Sequence, residues 1–150
     1  MIVGLVTWRK YLWSHTMSKQ FISECYDDHY IASMKIILYG TAAEAKQVLV
    51  DDGIKSVEFD VGEDQLTNGF VWTTAPEQIS EMAASHYLFW DGKYESDLAH
   101  ELFHLAHSIL ATHGITDSEA SGEVGAYYIG YLWRCVMALI ERQKKKRKKK

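Results

Sequence analysis

Apolar and polar positions fall into a clear period only after residue 33. Residues 1–33 mix Trp8, Trp13, His15, Tyr26, His29 and Tyr30 at no recurring spacing. Lys35 to Tyr39, by contrast, is a short apolar run closed by Gly40, the form of a buried strand. Met34 stands just ahead of it, so residues 1–33 read as an N-terminal extension and 34–141 as the folded domain. Ala42, Ala45, Val48 and Leu49 recur at helical spacing and Gly53 is a stop signal, which predicts a helix over Ala42–Val50. Val57–Val61 alternates apolar and acidic residues as a half-buried strand does. Asn68-Gly69 marks a turn, and the aromatic, β-branched run Phe70–Thr73 predicts a strand after it. Pro76 opens a short helix ending near Ala84, and His86–Trp90 is a further strand closed by Asp91-Gly92. Everything after Asp91 carries a helical period and resolves into two long helices. The plan is α+β: a small sheet with helices laid on it.

The helical stretch Ser96–Gly114 carries the chemistry. Ser96 is placed to cap its start, with Glu95 and Asp97 suiting the positive end, and Gly114 its finish with Ile115 behind it. At steps of roughly 100°, Leu98, Ala99, Leu102, Phe103, Leu105, Ala106, Ile109 and Leu110 fill one broad arc. His100, Glu101, His104, His107 and Ser108 fill the other. Residues four apart on a helix face each other about 6 Å apart, so His100 and His104 can reach one tetrahedral Zn2+ at about 2.0–2.1 Å each. Glu101 lies beside His100 but turned aside, where it can hold a metal-bound water and act as general base. This is the H-E-x-x-H pattern on a helix, as its mechanism requires.

A catalytic zinc needs a third protein ligand and an open position. The candidates are His107, His113, Asp117, Glu119 and Glu123. His107 is about 10 Å along the axis from His100, too far to share the ion. The metzincin spacing needs glycine at 107 and histidine at 110, where this chain has His107 and Leu110. Thr116 to Glu119 reads as a capping box, which gives Glu119 a structural task. Glu123 follows one turn later among Gly122, Gly125, Ala126 and Gly130. Glycine inside a helix is costly unless something packs closely, and close approach to the histidine helix would account for these. Glu123 is the preferred third ligand, with Glu119 and Asp117 behind it. Tyr127, one turn on, is a candidate oxyanion donor, although Tyr127, Tyr128, Tyr131 and Trp133 together read mainly as core. Either Gly69–Thr73 or His86–Trp90 would be the sheet edge along which an extended peptide pairs.

His100-Glu101-Leu102-Phe103-His104, the Gly114-Ile115 break and the run Glu123-Val124-Gly125-Ala126-Tyr127 resemble short HExxH metallopeptidases encoded by tailed phages and prophages. The arrangement is similar to that of gluzincins, whose third ligand is a glutamate on the next helix, and more distantly to that of ImmA/IrrE-type proteases. The resemblance covers about residues 95–133. It implies a zincin-like sheet packed on the HExxH helix, a peptide substrate and a host-cytoplasmic setting. The chain departs from thermolysin-like gluzincins at Tyr127, where they carry aspartate. It also lacks the Ala-Asn step and Leu-Leu-Met-Pro stretch of the ImmA-like group.

Composition narrows the class further. The 150 residues are 47% hydrophobic and 24% charged, ordinary for a globular chain and unlike a disordered or fibrous one. Two cysteines make no disulfide framework, which fits reduced thiols in a cytoplasmic setting. The opening apolar residues precede Arg9-Lys10, the reverse of a secretory signal, and no run approaches 18 apolar residues, so no membrane span is expected. The net charge of −4 conceals a split. Residues 1–141 hold eight Lys or Arg against all 20 acids, a net −12, while residues 142–150 hold eight Lys or Arg and no acid, a net +8. The sequence therefore predicts a disordered polybasic tail over 142–150, able to make weak nucleic-acid contacts. Two rivals to a peptidase follow. One is an inactive zinc-binding assembly protein that works through this tail; the other is a zinc hydrolase of a non-peptide bond.

Overall fold

The computed structural model describes residues 21–27, 32–54, 68–78 and 83–149. The strand expected at Val57–Val61 and the later part of the helix expected from Pro76 lie outside them; Pro76–Gln78 is a single 3-10 turn. Among the described residues four strands form one sheet: β1 (Phe21–Asp27), β2 (Ala32–Leu38), β3 (Gly69–Thr73) and β4 (His86–Trp90), in the order β1-β2-β4-β3. The helices are α1 (Ala42–Asp51), α2 (Glu95–Thr112), α3 (Asp117–Ala120) and α4 (Glu123–Lys148). The fold is α+β, as the patterning predicts. No helix among the described residues is long and apolar enough to cross a membrane.

The chain divides into two compact units, with the boundary inside α2 between Glu101 and Leu102. In the first unit β2 pairs antiparallel with β1, from Phe21↔Leu38 to Asp27↔Ala32, and parallel with β4, from Met34↔His86 to Leu38↔Trp90. β3 pairs antiparallel with β4. Strand β1 falls inside the stretch that lacked a sequence period, so part of residues 1–33 belongs to the sheet rather than to an extension. Strands β2 and β4 are buried on both faces, with Ile36, Ile37, Leu38, Leu88 and Phe89 almost wholly enclosed. Two-sided burial makes a strand a continuous apolar run without alternation, which is why both were legible.

Helix α1 is fixed at both ends. Thr41 accepts from the Glu44 backbone N–H at 3.2 Å and its own N–H donates to the Glu44 carboxylate at 2.6 Å, a capping box. At the far end Gly53 takes φ 81° and the Ile54 N–H reaches back to the Leu49 carbonyl at 3.1 Å. Ala45, Val48 and Leu49 of α1 pack with Ile37, Ile54, Phe70, Tyr87 and Phe89 into one apolar cluster. A charged pair sits at its margin: Lys35 Nζ lies 2.6 Å from Asp52 Oδ2, and the Tyr87 hydroxyl donates to the same oxygen at 2.7 Å. At the foot of the parallel pair, Ser33 and Ser85 interlock. Each backbone N–H donates to the other's hydroxyl, at 3.0 and 2.9 Å, and Ser85 Oγ donates to the Ser33 carbonyl at 2.7 Å.

In the second unit α4 buries Tyr128, Leu132, Val136, Leu139 and Ile140 along one stripe. The predicted box at Thr116 is present: Thr116 caps α3, and the Glu119 carboxylate accepts from the Thr116 N–H at 2.9 Å. The expected single helix from Thr116 is instead two, because the chain turns at Ser121-Gly122. Gly122 and Gly125 answer to that corner; Gly130 has only the Arg134 side chain of its own helix near it. A Cβ on Gly125 would overlap the Ala120 carbonyl oxygen, so the neighbour that excludes a side chain there is the end of α3. Helix α4 also continues through Lys148, where charge alone predicts an unfolded tail from Arg142. Lysine and arginine are good helix formers, and cations suit the carbonyl end of a helix that the Tyr128–Ile140 stripe has already nucleated.

Candidate metal centre

Helix α2 begins two residues earlier than predicted. Glu95 is its first residue, so Ser96 lies inside the helix and is not the cap. The Tyr94 carbonyl accepts from the Asp97 and Leu98 N–H groups, and the Trp90 indole N–H donates to that carbonyl at 2.9 Å. The start of α2 is thereby tied to the end of β4. At its finish Gly114 takes φ 75°, its N–H donates to Ala111 and that of Ile115 to Leu110 at 3.1 Å, the glycine stop that the sequence predicts.

The two arcs of α2 separate nearly as expected. Leu98, Leu102, Leu105, Ala106, Ile109 and Leu110 are fully enclosed, while His100 and His104 are exposed. Ala99 and Phe103 depart from the prediction: they lie at the margin of the apolar arc, and both are exposed. Because α2 is continuous from Glu95 to Thr112, helical periodicity sets His100 and His104 one turn apart on its open face.

Glu101 is the best-defined member of the set. Its angular position falls between the histidine face and the buried flank of Leu105, so it is half-buried. Gly69, the first residue of β3, lies so close that a Cβ there would stand 2.8 Å from Glu101 Cγ and 2.8 Å from the Phe89 carbonyl oxygen. Burial pushes the Glu101 carboxyl above the usual carboxylate range; the neighbouring His100 lowers it and Asp97 raises it further. Asp97, one turn before Glu101 on the same side, has a carboxylate oxygen buried with no hydrogen-bond partner among the described residues. Sequence patterning assigns Asp97 a helix-end role and Gly69 a turn and a place in a candidate edge strand, with no link to Glu101. The i, i+4 spacing of Asp97 and Glu101 was the available signal for the first, and nothing local signals the second. Gly69→Ala is expected to cost about 1–3 kcal/mol, because the obstructing Phe89 carbonyl is backbone, and to lower any hydrolytic rate by displacing Glu101. Urea unfolding alongside an activity assay checks both.

The remaining candidates have separate surroundings. His107 is half-buried, its ring tilted against that of Phe103 at 4.1 Å between centroids. His113 Nδ1 sits 2.9 Å from the Ile109 carbonyl and donates to it in the Nδ1–H tautomer, which closes the end of α2. Glu119 is held by Thr116, whose backbone N–H and hydroxyl lower its carboxyl below the usual range. Asp117 opens α3, and Glu123 is exposed at the first position of α4. Tyr127 is 73% exposed, so it stands outside the aromatic core that Tyr128 joins. Strand β4 lies between β2 and β3 and is not a sheet edge, whereas β3 ends the order among the described residues.

The donor set fits two corners of a metal site: two imidazoles at helical spacing, open to solvent, with a carboxylate beside them. Among the described residues no three His, Cys, Asp or Glu side chains converge closely enough to enclose an ion. No protein-family model, no curated protein and no solved structure matches the chain.

Proposed function

We propose that this chain is a zinc-dependent metallopeptidase in which His100 and His104 hold the ion, Glu101 is the general base and Glu123 supplies the third ligand. The observation that supports this most is Glu101, half-buried against Gly69 beside an exposed His100–His104 pair, with its carboxyl raised above its ordinary range. A carboxylate whose pKa is raised by burial is a stronger base than an exposed one. Zinc, when bound, supplies Lewis acidity toward a carbonyl and acidifies a water. Glu101 accepts the proton from the attacking water and can pass it to the leaving amine. Asp97, one turn away, raises the Glu101 carboxyl further. Glu123 is preferred to Glu119 because the latter's carboxylate is already engaged at the start of α3. Tyr127, exposed on α4, is the proposed donor to a developing oxyanion.

The reading is tested by metal content. Wild type, reconstituted with zinc and desalted, is expected to retain one ion per chain, and His104→Ala to lose it, with at least about a tenfold weaker affinity. Glu123→Ala is expected to weaken zinc in the same direction, while Glu119→Ala leaves the metal in place. Unchanged zinc content in His104→Ala removes the site, and casein left uncut by zinc-loaded wild type argues against the peptidase.

A further inference from the structure

The buried stripe of α4 ends at Ile140, yet the helix runs on to Lys148. Residues 141–150 contain no apolar or aromatic residue, and eight of the nine positions 142–150 are Lys or Arg. Arg142, Lys144, Lys145, Lys146, Lys148 and Lys149 are all exposed. Steps of about 100° distribute these cations round the whole axis instead of along one face, and each residue adds only about 1.5 Å of length. The result is roughly one positive charge per 1.7 Å, the spacing of phosphates along the axis of a nucleic-acid duplex. Glu141 alone offers local compensation, at i, i+4 to Lys145. Such a rod is under self-repulsion that a polyanion relieves.

We infer that the end of α4 is a docking surface for duplex nucleic acid, gripping phosphates of both strands without reading base sequence. Single strands are disfavoured because their non-specific binders stack bases on aromatic side chains, and residues 141–150 have none. A lipid surface is disfavoured because helices that lie in it insert apolar residues, also missing here. The net −12 of residues 1–141 repels a polyanion and confines the contact to this end. The inference is independent of the peptidase reading, since neither His100, Glu101 nor His104 takes part.

The test is fluorescence anisotropy of the full chain with a labelled duplex of roughly 20 base pairs, in two unrelated sequences, across about 50 to 200 mM salt. Six phosphate contacts predict a slope of log affinity on log salt near −5, a loss of about 10³-fold over that range, with the two sequences alike within about twofold. The combined variant Lys144→Gln, Lys145→Gln, Lys146→Gln, Lys148→Gln is expected to bind at least about 100-fold more weakly at low salt, with a slope shallower by about 3–4. These side chains lie beyond the buried stripe, so its thermal unfolding midpoint should match wild type, which separates lost binding from lost fold. Three results would overturn the inference. They are unchanged binding by the variant, tighter binding to a single strand of equal length, and a preference for phosphatidylserine vesicles over duplex at equal phosphate.

Discussion

Glu101→Gln is expected to retain zinc at the wild-type stoichiometry while losing about 10²–10⁴-fold in kcat/KM. The substitution keeps the shape of the side chain against Gly69, so that contact is conserved, and it removes only the ability to take a proton. Stability supplies an internal control. Burial holds the Glu101 carboxyl above its ordinary range. In the metal-free protein its contribution to stability is therefore present at acid pH and is lost as pH rises through the raised value. Glutamine does not titrate, so the variant should be no less stable than wild type at neutral pH. Because the group is only half-buried, solvent screens much of this effect, and the direction is what urea titrations at acid and neutral pH check. A variant that keeps both its metal and its full activity would remove Glu101 as the base.

The second large effect is in the core. Asp52→Ala is expected to cost about 3–5 kcal/mol, because it leaves the Lys35 ammonium buried without its carboxylate. Both side chains are less than a tenth exposed, and the same oxygen accepts from the Tyr87 hydroxyl, which in turn accepts from the Ala84 N–H at 3.0 Å. One deletion thus loosens β2, the end of α1 and β4 together. The paired change Lys35→Met with Asp52→Leu removes both charges and should cost less than Asp52→Ala alone. A loss below about 1 kcal/mol in Asp52→Ala, measured by urea unfolding, would show that the pair contributes little to holding α1 on the sheet.

The elements that were legible in the sequence share a physical cause. β2, β4, α1 and α2 each carry their signal in their own residues: two-sided burial in the strands, one buried arc and a glycine stop in the helices. The Thr116–Glu119 box was legible because both partners lie within four residues of one another. β1 was not, since a strand's tie to its partner is backbone pairing that leaves little trace in composition. The extension of α4 past Ile140 escaped because repulsion among the lysines was weighed without the stabilising turns before it. Of the α4 glycines, Gly125 has the close neighbour that its cost implies, the Ala120 carbonyl at a corner the sequence does not mark, whereas Gly130 has none. At the candidate site, the open histidine face followed from 3.6-residue periodicity, whereas the approach of Gly69 to Glu101 joins residues far apart in the chain.

The parallel pairing of β2 with β4 also bears on how the chain reaches this state. Ser33 and Ser85, which interlock at its foot, are 52 residues apart in sequence, whereas β1 and β2 are near neighbours joined antiparallel. Loop closure over such a span is an entropic toll collected before any contact rewards it, so the hairpin forms early and the central pairing late. During synthesis the inner border of β2 therefore stays unpaired until β4 has left the ribosome, and an apolar strand edge open in that interval favours aggregation.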